Sequence, residues 1–209
     1  MKVYSIFRSI QGEGRTMGAP TVFVRTSGCP LRCTYCDTKQ AYEEGSVMSI
    51  ESIMKEVRKH KARHVCLTGG EPLMQRDAPA LIRKLLEAGY RVVVETNGAM
   101  PLDDMPCDDN LSISMDIKCP SSGEAEKMLF ENMEMLGPMD QLKFVVSDKA
   151  DYEYAKEVIR EHPPKCDVIL TPVGGKDLRW LAESALKDGL DVRVMPQLHK
   201  IIWGEEDNR

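Results

Sequence analysis

The chain has 209 residues, 42% of them apolar and 29% charged, a balance that excludes a mostly disordered chain, a collagen-like repeat and a coiled-coil rod. At roughly 150 residues per domain, that length suits a single domain over residues 1–209. The net charge of −5 (28 basic against 33 acidic side chains) argues against a nucleic-acid-binding surface and favours a small-molecule substrate. The longest basic cluster, Arg58 to Arg63, reads as a solvated helix end. No stretch approaches the ~18 apolar residues of a membrane span. The opening MKVYSIFRSIQGEG lacks the apolar core of a secretory signal. A soluble, cytoplasmic protein that contacts no membrane is expected.

In chain order, Thr21 to Thr26 reads as a strand. Ile50 to His60 places Ile50, Ile53, Met54 and Val57 at helical spacing. His64 to Thr68 is a short buried strand closed by Gly69-Gly70. Ala78 to Ala88 is a helix ended by Gly89. Arg91 to Thr96 is a strand closed by Asn97-Gly98, and Leu111 to Ile117 alternates as a strand should. Glu124 to Leu136 reads as a methionine-rich helix. Gln141 to Val146 is a strand, and Ser147-Asp148 opens a helix to Arg160. Asp167 to Leu170, Leu178 to Lys187 and Leu190 to Met195 read as strand, helix and strand. Six or more β-then-α units at ~25–30 residue spacing imply a parallel sheet with helical crossovers. A full eight-unit barrel takes ~250 residues, so the fold class is α/β with a partial (β/α)6-type barrel.

In such folds ligand chemistry gathers at the carboxyl ends of the strands. The suggestive clusters fall there: the loop after Thr21–Thr26, then Gly69-Gly70-Glu71-Pro72, Thr96-Asn97-Gly98 and Asp116-Ile117-Lys118.

Seven cysteines make an odd number, and a reducing compartment disfavours a disulfide framework. Three of the seven crowd into Cys29-Pro30-Leu31-Arg32-Cys33-Thr34-Tyr35-Cys36, a CxxxCxxC run. Cys66 and Cys166 read as small apolar residues in or beside strands. Thiolates select iron–sulfur clusters or zinc. Structural zinc wants four ligands, and the next cysteine is 30 residues on, so a 4Fe–4S cluster with one open iron is favoured over zinc.

CxxxCxxC after one strand and Thr68-Gly69-Gly70-Glu71-Pro72 after the next resembles the radical S-adenosylmethionine (SAM) enzymes. The resemblance implies that Cys29, Cys33 and Cys36 hold the cluster. SAM would chelate the open iron, with Gly70 and Glu71 beside its amino group, and its cleavage would yield a 5′-deoxyadenosyl radical. The catalytic species is then borne by the cofactor, not by a side chain. A glycine pair lets backbone approach a ligand closely, and Glu71 offers a charge partner for an ammonium.

Further signatures narrow the likeness: Ser9-Ile10-Gln11-Gly12-Glu13-Gly14, Cys36-Asp37-Thr38, Glu95-Thr96-Asn97-Gly98, Asp116 to Gly123, Gln141 to Val145 and Met195-Pro196-Gln197-Leu198-His199-Lys200. Together they resemble the 7-carboxy-7-deazaguanine synthase family of 7-deazapurine (queuosine and archaeosine) biosynthesis over nearly the whole chain. That family contracts the ring of 6-carboxy-5,6,7,8-tetrahydropterin with loss of ammonia and regenerates SAM. The resemblance implies Mg2+ at Thr38, and pterin contacts from Ile10, Gln11, Gly12, Arg25 and Thr68, with Arg25 pairing the substrate carboxylate. It places SAM contacts at Gly70, Glu71, Asp116, Ile117 and Lys118. It also implies a homodimer served by a flavodoxin- or ferredoxin-type reductant.

The chain departs from the family pattern where many relatives have Ser-Pro-Lys in place of Asp116-Ile117-Lys118, and where Thr171 replaces a frequent glutamine. On residues alone, His199-Lys200 also reads as an ordinary strand end. A glycyl-radical-activating enzyme and a non-catalytic iron–sulfur module are the alternative functions.

Overall fold

The computed structural model describes residues 1–175, 177–204, 206 and 208. The strands are β1 (Lys2–Ile10), β2 (Pro20–Thr26), β3 (Ser46–Val47), β4 (His64–Gly69), β5 (Arg91–Thr96), β6 (Leu111–Ile117), β7 (Gln141–Val146), β8 (Asp167–Pro172) and β9 (Arg193–Val194). The helices are α1 (Ile50–Lys59), α2 (Ala78–Glu87), α3 (Asn132–Met135), α4 (Lys149–Glu161), α5 (Leu178–Asp188) and α6 (Leu198–Trp203). The strands form one open sheet in the order β3-β1-β2-β4-β5-β6-β7-β8-β9. Every pair from β2–β4 onward is parallel, while β1 runs antiparallel to β2 and β3. This is the expected α/β partial barrel, with a sheet that does not close.

Strand alternation separates two faces. On one, Val22, Val24, Val65, Leu67, Val92 and Val94 pack with Ile53, Met54 and Val57 of α1 and Leu81, Ile82 and Leu85 of α2. Farther along the same face, Ile113, Met115, Ile117, Leu142, Phe144 and Val146 pack with Tyr152, Ala155 and Val158 of α4 and Leu181 of α5. Each such side chain withdrawn from water is worth about 1.5–3 kcal/mol. The other face carries the intervening residues, among them Arg25, Thr68, Glu95, Asp116 and Lys143, which line a cavity.

The structure corrects three expectations. Glu124 to Leu136 is not one helix: a turn at Ala125–Lys127 and the four-residue α3 are separated by extended backbone at Met128. Tertiary bonds to the β5–β6 loop replace the intrahelical ones there. Leu129 N–H donates to Gly98 O, and the Asn132 amide donates to Gly98 O and Met100 O. The last strand pairs over Arg193–Val194 alone, with a turn from Leu190 to Val192 ahead of it. His199 and Lys200 lie in α6, not at a strand end. In addition, β1 and β3 extend the sheet beyond the alternating units, and the β5–β6 connection contains no helix.

Two buried carboxylates tie the strand-end loops together. Glu71, fully buried, accepts from Asn97 N (2.7 Å), Thr96 Oγ1 (2.9 Å) and Leu73 N (3.0 Å), so the end of β4 holds the end of β5. Asp151 of α4, also fully buried, accepts from Ser121 N (3.0 Å), Ser147 N (2.9 Å) and Ser121 Oγ. The turn it holds supports the cysteine loop in turn. Thr34 N donates to Ser122 O (3.0 Å), Thr34 Oγ1 to Ser121 O (2.7 Å) and Arg32 N to Glu124 Oε1 (2.6 Å).

Asp151→Ala is expected to strand these donors and to lower stability by about 3 kcal/mol, read from urea midpoints at unchanged m. Burial raises the Glu71 carboxyl from 4.5 to about 7, against the pull of its three donors. A proton held more tightly in the folded chain makes stability fall as pH climbs from about 4.5 to about 7, then level off. Between about pH 5 and pH 8, Glu71→Gln should therefore abolish about 3 kcal/mol of that decline, measured as the difference between variant and parent in urea unfolding.

Candidate active site

The cavity at the carboxyl ends of the parallel strands measures about 460 Å³, within the usual range for small-molecule sites. Cys29, Cys33 and Cys36 line it, with Asp37, Thr38, Gly70 and Asn97. Ile10, Gln11, Gly12, Glu13, Arg25, Thr68, Glu95, Asp116, Lys118 and Lys143 line it as well. The structure thus gathers Cys29, Cys33, Cys36, Thr38, Gly70, Asp116, Lys118, Ile10, Gln11, Gly12, Arg25 and Thr68 around one space. Two residues expected there are not in its lining. The Ile117 side chain is buried in the apolar core on the far face of β6. Glu71 lies beneath the cavity wall, its carboxylate already engaged by three donors. Thr171 is buried outside the lining, and the polar tail from 205 onward lies in part outside the described residues.

Gly70 acts through packing. A Cβ there would meet Gly28 O at 2.1 Å, so its bare Cα lets the β4 turn press against the cysteine loop. Gly70 N donates to Thr26 O (3.0 Å) and Glu71 N to Gly28 O (2.7 Å), which fix the same approach.

Burial raises the thiols of Cys29 and Cys33 above their ordinary range. At Cys29 the Leu31 backbone N–H and the Asn97 amide pull the other way; at Cys33 Lys118 does. Both feel the charge of Cys36, so the three sulfurs share one electrostatic neighbourhood. Cys66 is fully buried in β4, as read, and also borders the cavity, with Gln11, Glu95, Lys143 and Arg25 near its sulfur. Among the described residues no three His, Cys, Asp or Glu side chains meet at the spacing of a single metal ion. In a cubane each thiolate binds its own iron, so wider spacing suits a cluster.

The cavity floor is a charge network that motif reading passed over. Lys143 Nζ lies 2.5 Å from Glu13 Oε2, 3.2 Å from Glu95 Oε2 and 3.2 Å from Asp116 Oδ1. Lys118 Nζ donates to Asp116 Oδ2 at 2.5 Å. Burial alone would push the Glu13 carboxyl up, but Lys143 and Gln197 carry it down to about 2. Glu95 stays raised, because burial and the charges of Glu13 and Asp116 outweigh Lys143. Burial disfavours the Lys118 and Lys143 ammoniums, yet the surrounding acids hold both above the usual lysine range. Gln197 Oε1 is a buried acceptor with no hydrogen-bond donor among the described residues, and Asp116 Oδ1 has only its ion pair with Lys143. A bound ligand rich in N–H and O–H groups would satisfy them.

The C-terminal segment contributes Gln197, His199 and Lys200 to the wall. Leu198 N donates to Gly12 O (2.9 Å), and Gln197 Nε2 to Glu13 Oε1 (2.7 Å). A Cβ on Gly12 would meet His199 Nδ1 at 2.1 Å, so glycine there admits the imidazole. Glu13, Glu95, Lys143 and Gln197 escaped the sequence reading as site residues. The available signal was the alternation Gln141-Leu142-Lys143-Phe144, since a parallel strand covered on both faces by apolar groups reads as a continuous apolar run.

The radical SAM superfamily model matches residues 23–116. A 7-carboxy-7-deazaguanine synthase of Methanospirillum hungatei JF-1 is 44% identical over 206 residues, covering 97% of this chain and 85% of that protein. The enzyme of the same name from Thermoplasma acidophilum is 38% identical, covering 98% of each. The crystal structure of QueE from Escherichia coli superposes with a TM-score of 0.77 at 24% identity over 92% of each chain, a likeness of fold. A 4Fe–4S cluster and SAM are the cofactors of the superfamily, and the loop trio of soft sulfur donors beside a polar cavity fits them. The chain belongs to the 7-carboxy-7-deazaguanine synthase family of the radical SAM superfamily.

Proposed function

We propose that this chain, acting as one domain over residues 1–209, converts 6-carboxy-5,6,7,8-tetrahydropterin to 7-carboxy-7-deazaguanine. Substrate and product differ by one ammonia, so the rearrangement needs no net oxidant or reductant, and SAM is recovered. The observation that carries the reading is a single cavity lined both by the three loop sulfurs and by a guanidinium and several carboxylates. It is supported by the family membership.

The bound cluster and SAM would supply one-electron chemistry and a hydrogen-abstracting radical, and the chain's own residues would do the rest. Cys29, Cys33 and Cys36 would hold the cluster. Gly70, Asp116 and Lys118 would border SAM, with Ile117 contributing backbone at most and Glu71 supporting from below. Arg25, seated over the Phe7 ring, suits bidentate pairing with the substrate carboxylate. Glu13 and Glu95 are acceptors suited to the amino and amide N–H groups of a pterin edge, with Ile10, Gln11, Gly12 and Thr68 completing the enclosure. Thr38 Oγ1, which donates to Asp37 Oδ1 at 2.9 Å, would offer a hard oxygen to Mg2+. The described helices include none long and apolar enough to cross a membrane. We read the working enzyme as a cytoplasmic homodimer reduced by a flavodoxin- or ferredoxin-type protein.

The test mixes reduced, anaerobically reconstituted protein with SAM, Mg2+ and the carboxytetrahydropterin. Release of the deazaguanine supports the reading. Cleavage of SAM without consumption of pterin would favour an enzyme that activates a glycyl radical, and a cluster spectrum unmoved by SAM would favour a binding module. Cys33→Ala should lose the visible absorbance of the cluster and all turnover. Thr38→Ala should keep the cluster absorbance and need a higher Mg2+ concentration for half-maximal rate, read from a Mg2+ titration.

A further inference from the structure

Asn97 follows β5 in the turn Thr96-Asn97-Gly98 and is 7% exposed. Its side chain is held from two directions. The backbone N–H donates to Glu71 Oε2 (2.7 Å), and Oδ1 accepts from Ala99 N (3.0 Å) in an Asx turn. Because Oδ1 is committed to an N–H, the amide orientation is determined, and Nδ2 must be the end that points at the cysteine loop. It lies 3.4 Å from Cys29 Sγ, at donor–sulfur distance. This bond joins the turn after β5 to a sulfur 68 positions earlier, and Glu71, the acid of the Gly-Gly-Glu-Pro turn, is what anchors it.

Hydrogen bonds to cluster sulfurs are one of the levers that set the reduction potential of an iron–sulfur centre. A donor withdraws electron density from the thiolate, and the reduced, more negative state gains most from it. We propose that Asn97 is a positioning residue that acts through Cys29, its amide raising the reduction potential of the cluster and so easing the one-electron reduction that radical chemistry requires. The inference rests on the reading of Cys29, Cys33 and Cys36 as cluster ligands. It adds that the β5 turn governs the electron affinity of the centre, and that Glu71 serves this bond by holding the Asn97 backbone.

The experiment is an EPR-monitored redox titration of reconstituted protein without SAM, so that contacts to that ligand do not enter. Iron content and far-UV circular dichroism are recorded in parallel. Asn97→Leu removes the donor, and Asn97→Asp keeps the shape while placing an acceptor beside the sulfur. At a fixed ambient potential near the parent midpoint, the ratio of reduced to oxidised cluster should fall about fivefold in Asn97→Leu, and further in Asn97→Asp. Parent-like titrations in both variants at full iron content would overturn the inference. So would loss of iron from both at unchanged circular dichroism, which would assign Asn97 to cluster assembly instead. Failure of the parent to take up a four-iron cluster would overturn the cysteine reading and the inference together, and is told apart by the parent sample alone.

Discussion

An ammonium almost out of contact with water needs anions beside it, and Lys143 has three carboxylates within 3.2 Å. They come from distant parts of the chain: Glu13 from the loop after β1, Glu95 from β5 and Asp116 from β6. The strands cannot leave register without leaving a charge buried and unpaired, a loss of several kcal/mol. One positive charge does not satisfy three negative ones equally. Glu13, at 2.5 Å and also bonded by Gln197, keeps its charge into strong acid, whereas Glu95 is held up. The floor therefore presents acceptors of different character from one cation, the kind of asymmetry a flat heterocycle with several N–H groups can be read by.

The cysteine loop shows the same dependence on distant contacts. Its CxxxCxxC spacing of thiols is local, but its shape is set by the turn at 119–124 and by Gly70, in the turn after β4. Asp151 and Glu71 stand behind these supports, each a fully buried carboxylate spent on backbone and hydroxyl donors. Loops that must present a cofactor with little freedom are thus braced by groups that never face it.

Much of this could be read from residues alone. The parallel sheet followed from the strand–helix alternation, and the site from the placement of CxxxCxxC, Gly69-Gly70-Glu71-Pro72 and Asp116-Ile117-Lys118 after strands. What escaped has physical reasons. Glu71 looks like a ligand because an acid after two glycines is exposed in a simple turn; here the β5 end supplies two donors, Leu73 N a third, and the carboxylate is buried. The resemblance groups Ile117 with Asp116 and Lys118, and strand alternation sends its side chain to the opposite face. The helix expected at Glu124 to Leu136 has the right composition and loses to the carbonyls of Gly98 and Met100, which no local pattern announces. Lys143 and Glu95 were legible in principle, as charges at alternate positions in strands otherwise built of Val, Leu and Phe.

The sheet has two free edges, β3 and β9, and so does not enclose the cavity by itself. The remaining side is walled by the segment entering α6, which meets the loop after β1 through the Leu198–Gly12 and Gln197–Glu13 bonds. Containment of a guest is therefore assigned to a different part of the molecule from cohesion of the host. The ladders and the two apolar clusters keep the chain folded, while a short stretch near its C-terminus decides how well the interior is shut off from bulk solvent.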